Sequence, residues 1–354
     1  SDLALHHAAG EDPSDSPQLL LDAKADLEAR TNAGETALYL AAHWDDNAYA
    51  QFLVEAKANL EAADPDGYTP LIVAAREGRM DCLELLIKAK ANLNAVDING
   101  YTPLIWAVLK GQIECMRSLV DAKANVQAKD NSGCTALIWA ARDGRIECMK
   151  LLIDEKADLE ALDNNGCTAL LWAARRVYTE CMKSLVDANA NLRAKDYSGY
   201  TALLWAASNN QTECVQWLIE KKADVRAKSS MGQTALLQAI KIGNIACVRL
   251  LLNKNAEIAS TDNDGLTALI WAARSGQTDC VRLLLNKNAE IAATDNEGLT
   301  ALIWAARSGQ TECLLLLLDA EAEIGAKDNS GCTALIWAAR YGQTGCAQLL
   351  IDKK

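Results

Sequence analysis

The sequence predicts an all-α repeat solenoid built from short helix-turn-helix units, and three observations carry that prediction. Threonine recurs at Thr36, Thr69, Thr102, Thr135, Thr168, Thr201, Thr234, Thr267, Thr300 and Thr333, every step being 33 residues. A glycine stands two residues before each of them, as Gly133 does before Thr135. Between these anchors the apolar residues follow two short helical stretches. Self-similarity at such a period is the mark of a stacked repeat rather than a globular core. The composition agrees: one Phe against nine Trp points to a copied template.

Residues 130–162 serve to justify each element in order. Asp130-Asn131-Ser132-Gly133 has turn chemistry, with Asp at the first position and Gly where a positive φ is expected. Thr135 then stands where its hydroxyl caps a helix. Two units follow the threonine with Pro70 or Pro103, which suits the first helical position. A first helix is predicted through Arg142, with Gly144 as its break, and a second from about Ile146 to Glu155. Ala157 to Ala161 leads into the next turn.

A unit of 33 residues cannot bury its apolar face alone, so neighbours must supply the missing surface. Leu137, Ala140 and Ala141 share one face of the first helix, the alanines allowing close approach. Cys148, Leu151 and Leu152 share a face of the second, broadened by Met149 and Ile153. Glu147, Lys150 and Asp154 fall on the other side, and the spacing of Glu114 with Arg117 and of Glu180 with Lys183 predicts ion pairs on a solvated back. At the N-terminus Leu3-Ala4-Leu5-His6-His7-Ala8-Ala9 keeps the phase. The expectation is one domain over 1–354, with units at 1–30, 31–63, 64–96, 97–129, 130–162, 163–195, 196–228, 229–261, 262–294, 295–327 and 328–354.

Gly133, Thr135, Leu137, Ala140, Ala141 and Gly144, with their counterparts one period away, closely resemble the ankyrin repeat. The resemblance covers essentially the whole chain. It implies a curved superhelix with short β-turn or hairpin tips, and partners docking in a concave groove lined by the first helices and the tips. Two departures recur. The family's His is replaced by an aliphatic residue, as at Ile72, Ile138 and Leu204, which exchanges a polar contact for apolar packing. The family's Gly after the second helix becomes Lys24, Lys57, Lys90, Lys123, Lys156, Asn189, Lys222, Asn255, Asn288 or Glu321. These residues are expected still to end the helix, at a small cost.

Cys82, Cys115, Cys148, Cys181, Cys214, Cys247, Cys280, Cys313 and Cys346 occupy one repeat position. Stacked helices lie roughly 8–10 Å apart, beyond the roughly 7 Å Cα separation a disulfide tolerates. A straight row also cannot converge tetrahedrally on zinc. These thiols are therefore expected reduced, buried and structural, in a reducing cytoplasmic compartment, with no cofactor or metal. Cys134, Cys167 and Cys332 follow the turn glycine and are expected to be more exposed, which leaves a redox role open for them.

The candidate binding residues form another row. Trp106, Trp139, Trp172, Trp205, Trp271, Trp304 and Trp337 each lie two residues after the core Leu of the first helix and point off its buried face. One turn further on stand Arg142, Arg175, Arg274, Arg307 and Arg340, at a spacing where Trp and Arg stack. Tyr68, Tyr101 and Tyr200, after the turn glycine, extend this surface. Two readings stand side by side: an aromatic and basic docking strip rich in interface residue types, or indoles that cover one another and seal the stack. Residues 253–285 and 286–318 are nearly identical and carry the same groove residues, which suits an extended or repetitive ligand and equally suits a recent duplication.

The template breaks at 229–261, where Ser229 replaces the turn Asp, Gln238 the Trp and Ile240 a packing Ala. A larger residue at Ile240 is expected to push helices apart and alter local curvature. Val177 takes a helix-break glycine position where positive φ would strain it, so a remodelled loop is expected there, while Asn210 is easy at the same place. Asn94 loosely resembles the asparagine hydroxylated in some ankyrin domains.

Only His6, His7 and His43 are present, no catalytic motif occurs, and the carboxylates recur in phase rather than converge. An enzyme is therefore not expected. Lys plus Arg is 35 against 47 Asp plus Glu, a net charge of −12, which disfavours phosphate backbones as partners. No apolar run is long enough for direct membrane insertion, and no signal-peptide pattern opens at Ser1, where the absence of Met fits a processed chain or a piece of a longer one. The expected function is a scaffold or adaptor that binds a protein partner, as an extended segment or a subunit surface. Two alternatives remain: a regulatory or targeting domain of a larger enzyme or channel, and a structural subunit of a large assembly.

Overall fold

A computed structural model describes residues 26–353; the predicted unit at 1–30, with His6, His7 and Lys24, falls largely or wholly outside them. The described residues divide into two compact units, one ending at residue 191 and the other beginning at 192. In the first, the described helices are α1 (Ala37–Trp44), α2 (Asn47–Glu55), α3 (Pro70–Glu77), α4 (Met80–Lys88), α5 (Pro103–Lys110), α6 (Ile113–Asp121), α7 (Ala136–Arg142), α8 (Ile146–Asp154), α9 (Ala169–Arg176) and α10 (Thr179–Asp187). In the second they are α11 (Ala202–Ser208), α12 (Thr212–Glu220), α13 (Ala235–Ile242), α14 (Ile245–Asn253), α15 (Ala268–Arg274), α16 (Thr278–Asn286), α17 (Ala301–Ser308), α18 (Thr311–Asp319), α19 (Ala334–Arg340) and α20 (Thr344–Asp352). Within each unit, every odd-numbered helix packs on its even partner and on the next odd-numbered helix, so each unit is a stretch of solenoid. Among the described residues there is no sheet, only isolated antiparallel bridges such as Lys129 with Thr135 at the base of a tip.

The local chemistry is as the pattern predicts. Thr36, Thr69, Thr102, Thr135, Thr168, Thr201, Thr234, Thr267 and Thr300 each accept a hydrogen bond from the backbone N–H three residues on, satisfying one orphan donor of the helix start. Thr333 makes no such bond. The residues that replace the family glycine after the second helix are all left-handed where described, for example Lys90 at φ 67, Asn189 at φ 69 and Glu321 at φ 65. Gly144 needs its hydrogen for a second reason besides its φ of 69: a Cβ there would lie 2.6 Å from the ring of Tyr178 in the next repeat. Val177 corrects one expectation. Its loop is not remodelled; φ is 70 and ψ 25, the glycine conformation, with the side chain left exposed. The repeat frame imposes the left-handed turn whichever residue occupies it.

The core runs between the helix layers. Leu137, Ile138, Ala140 and Ala141 are buried on α7. On α8 the buried residues are Cys148, Met149 and Leu152, whereas Leu151 and Ile153 are only half-buried, so Met149 rather than Leu151 completes the face. The aliphatic residues in the family's His position are buried at Ile72, Ile138, Leu204 and Ile303, and exposed at Ile336 on the last repeat. Ile240 is fully buried, and α13 packs less extensively on α15 than α15 does on α17, where alanine holds the same place. Exposed pairs Arg117–Glu114 at 3.8 Å and Lys183–Glu180 at 3.0 Å sit on the second helices as predicted.

Adjacent repeats within each unit are also tied by polar bridges. In the first unit the side chains of Glu28, Glu61, Asn94, Gln127 and Glu160 each accept a backbone N–H 31 residues on, at 2.7–3.1 Å. At the tips, Asn131 Nδ2 donates to the Ile98 carbonyl at 2.9 Å, and Asn296 Nδ2 to that of Asn263 at 2.9 Å.

The cysteines are free thiols, all buried except Cys332, which is partly exposed. Cys134 and Cys167 correct the expectation of exposure for that position: each is only 1% exposed. Cys332 lies in the last repeat.

Candidate functional site

The site is built from the turn upward. Asp97, Asp130, Asp163, Asp196, Asp262, Asp295 and Asp328 open their turns and are buried. One carboxylate oxygen of each accepts turn N–H groups; Asp130 Oδ1 takes those of Ser132 at 2.8 Å and Cys134 at 2.9 Å. The other oxygen faces the first helix. There the indole N–H of the tryptophan nine residues later donates to it: Trp106 to Asp97 at 3.0 Å, Trp139 to Asp130 at 2.7 Å, Trp172 to Asp163 at 2.8 Å, Trp205 to Asp196 at 3.0 Å, Trp271 to Asp262 at 2.8 Å, Trp304 to Asp295 at 2.7 Å and Trp337 to Asp328 at 2.7 Å. Each tip is thereby clamped to its own helix through a charge-assisted bond.

At Asp328 burial alone would raise the carboxyl. The N–H groups of Cys332 and Ser330, the Trp337 indole and the Arg307 charge outweigh it and hold the carboxyl below its ordinary range.

The clamp leaves the indole faces to the cations. Arg142 lies 4.5 Å from the Trp139 ring centre and 4.8 Å from that of Trp172, so it sits between two repeats. Arg175 and Arg176 also lie over Trp172, at 4.9 and 5.7 Å. In the second unit Arg274 lies 5.2 Å from Trp271 and 4.4 Å from Trp304. Arg307 lies 4.7 Å from Trp304 and 4.6 Å from Trp337, and Arg340 5.2 Å from Trp337. Guanidinium and indole alternate as a ladder from Trp139 to Trp172 in the first unit and from Trp271 to Trp337 in the second. Each contact stabilises by about 0.5–1 kcal/mol where exposed and more where shielded.

Tyr68 meets Trp106 edge-on at 5.8 Å, and Tyr101 meets both Trp106 and Trp139, at 5.3 and 5.7 Å. Tyr200 packs on Trp205 at 4.6 Å. Trp172 and Trp304 are buried, while Trp106, Trp139, Trp205, Trp271 and Trp337 are half-buried. Among the described residues, the rings of Trp271, Trp304 and Trp337 do not cover one another; arginine separates them.

Two partners of the ladder escaped the sequence reading, Arg76, 4.8 Å from Tyr68, and Lys241, 4.4 Å from Trp271. Both stand at the repeat position of Arg142, so phase alone could have found them. The turn-to-indole clamp was missed as well. Its signal was an Asp nine residues before every Trp of the row, lost together where Ser229 and Gln238 replace the pair. In that repeat Gln238 Nε2 donates instead to the Tyr200 hydroxyl at 2.8 Å and to the Gln233 side chain.

Between the two most similar repeats the ladder borders a cleft of about 310 Å³ lined by Arg274, Arg307 and Trp304 together with the turn acids Asp264, Asp295 and Glu297. Among the described residues no group of His, Cys, Asp and Glu could hold a metal ion, and no helix is long and apolar enough to cross a membrane. Cys82 faces Asp45, and burial together with that charge pushes its thiol up to about 12, the reverse of what a nucleophile needs.

A family model for ankyrin repeats (three copies) matches residues 5–97, 89–163, 155–229, 226–295 and 290–354. No curated protein matches the chain at a significant level.

Proposed function

Because the chain belongs to the ankyrin-repeat family, whose repeats generally mediate protein–protein interaction, we propose that it is a non-catalytic scaffold that holds a protein partner on its tryptophan–arginine face. That face lies on the side of the first helices and tips, the concave side in this reading. The observation that supports it is the state of the arginines. Arg274, Arg307 and Arg340 are positioned by indoles yet make no hydrogen bond or ion pair among the described residues. Cations held in place with their donors unspent are ready to bind a ligand, and Trp and Arg are the residue types that carry most interface energy. The buried thiols suit a reducing, cytoplasmic setting.

Peptides selected on the protein from a random display library test this reading. Their binding should fall when Arg142, Arg274 and Arg307 are changed to Ala and hold when Arg117 and Arg282, at positions assigned to the opposite face, are changed. Loss with Arg117 and Arg282 alone would place the docking surface on the backs of the second helices.

A further inference from the structure

Arg274, Arg307 and Arg340 recur every 33 residues in one unit, each over the tryptophan of its own repeat and the first two also over that of the next. Each guanidinium carries five N–H donors and no acceptor, so its complement is an anion. Stacked helices of neighbouring repeats lie roughly 8–10 Å apart. An extended strand rises about 3.3 Å per residue and a polyproline II segment about 3.1 Å with three residues per turn. Three residues of either span one repeat. The same cleft is also lined by Asp264, Asp295 and Glu297, and the chain as a whole bears −12, so an unbroken run of negative charge is repelled there. Charges spaced one per repeat, with neutral residues between, match the spacing of the arginines and bring the fewest charges near those acids.

Resting on the docking reading above, we infer that the partner segment is extended and carries an acidic side chain at every third residue, one carboxylate to each of Arg274, Arg307 and Arg340. A nucleic-acid strand, charged at every nucleotide, does not meet this requirement.

The experiment is fluorescence anisotropy with labelled synthetic peptides and the full chain. One peptide carries three Glu at every third position among Pro and Ala, a second has the same composition with the Glu contiguous, and a third carries Lys in place of Glu. The spaced peptide should bind at least about tenfold tighter than the contiguous one. It should lose at least about tenfold in the Arg274→Gln, Arg307→Gln double variant, whose fold is verified by circular dichroism melting. Equal binding of the spaced and contiguous peptides, tighter binding of the Lys peptide, indifference to the double variant, or displacement by a single-stranded oligonucleotide at lower concentration overturns the inference. Library-selected peptides that require Arg274 and Arg307 but lack an acidic period overturn the inference alone and leave the docking reading standing. Selected peptides indifferent to the whole arginine row overturn both.

Discussion

Trp139 and Asp130 stand nine residues apart and are joined by a 2.7 Å bond from the indole nitrogen to the carboxylate. The same carboxylate holds the turn through the N–H groups of Ser132 and Cys134. The indole N–H is thus spent inside the repeat, and the ring face is left to the arginine that lies over it.

Trp139→Phe keeps the ring and removes the donor, leaving a buried carboxylate oxygen of Asp130 without its partner. Stability should drop by roughly 1.5–3 kcal/mol, read from urea unfolding. A Trp139→Phe protein as stable as the wild type would show that water replaces the indole there.

The threonine caps offer an internal control. Thr135 accepts the N–H of Ile138 at 3.3 Å, whereas Thr333 makes no cap bond. Thr135→Ala should cost about 1 kcal/mol, and Thr333→Ala distinctly less, in the same unfolding assay.

Val177 holds φ 70 with its side chain exposed. Left-handed backbone costs an L-residue roughly 1–2 kcal/mol, and glycine gives back about 0.5–1 kcal/mol in entropy. Val177→Gly should therefore leave the protein about as stable or more so, by up to about 1.5 kcal/mol. Val177→Asn should act in the same direction. Clear destabilisation by either would mean that the valine side chain contributes packing that outweighs its strain.

Thiol chemistry follows from burial. With dithionitrobenzoate Cys332 should react first in the native protein, and the remaining cysteines only as the chain unfolds. Rapid native labelling of Cys134 or Cys167 would contradict their burial.

The same thiols make stability depend on alkaline pH. From an ordinary value of 9.0, burial pushes Cys247 up to about 12, as it does Cys82 and Cys134 with added carboxylate charge. A raised folded-state value favours the protonated native thiol. The contribution is whole below pH 9 and is lost as pH rises from 9 toward 12, where the unfolded chain has released protons the native one retains. Replacing Cys247 by Val should flatten that decline by about one proton, measured as the slope of unfolding free energy against pH.

Much of this was legible in the residues themselves. The threonine caps, the prolines at the first helical position, the glycine breaks and the left-handed Lys and Asn positions act through backbone geometry within one turn, and such short-range rules leave their signature in the chain. The Trp and Arg row was legible for the same reason, since residues three apart on a helix share a side. Leu151 was placed at the centre of the buried face yet is only half-buried, because which of several neighbouring apolar residues is buried depends on the angle at which the next helix arrives. Cys134 and Cys167 were misjudged because position after a turn says nothing about what covers it.

The sequence by itself determined the repeat, its helices and the family, because a 33-residue period repeated without insertion admits few local structures. Only the tertiary structure decided what each indole does. Whether a tryptophan donates to a turn carboxylate, and whether an arginine lies between its own ring and the next, depends on distances between side chains brought together by folding and stacking. Those distances are set by packing, and packing is a property of the assembled repeats rather than of any one of them.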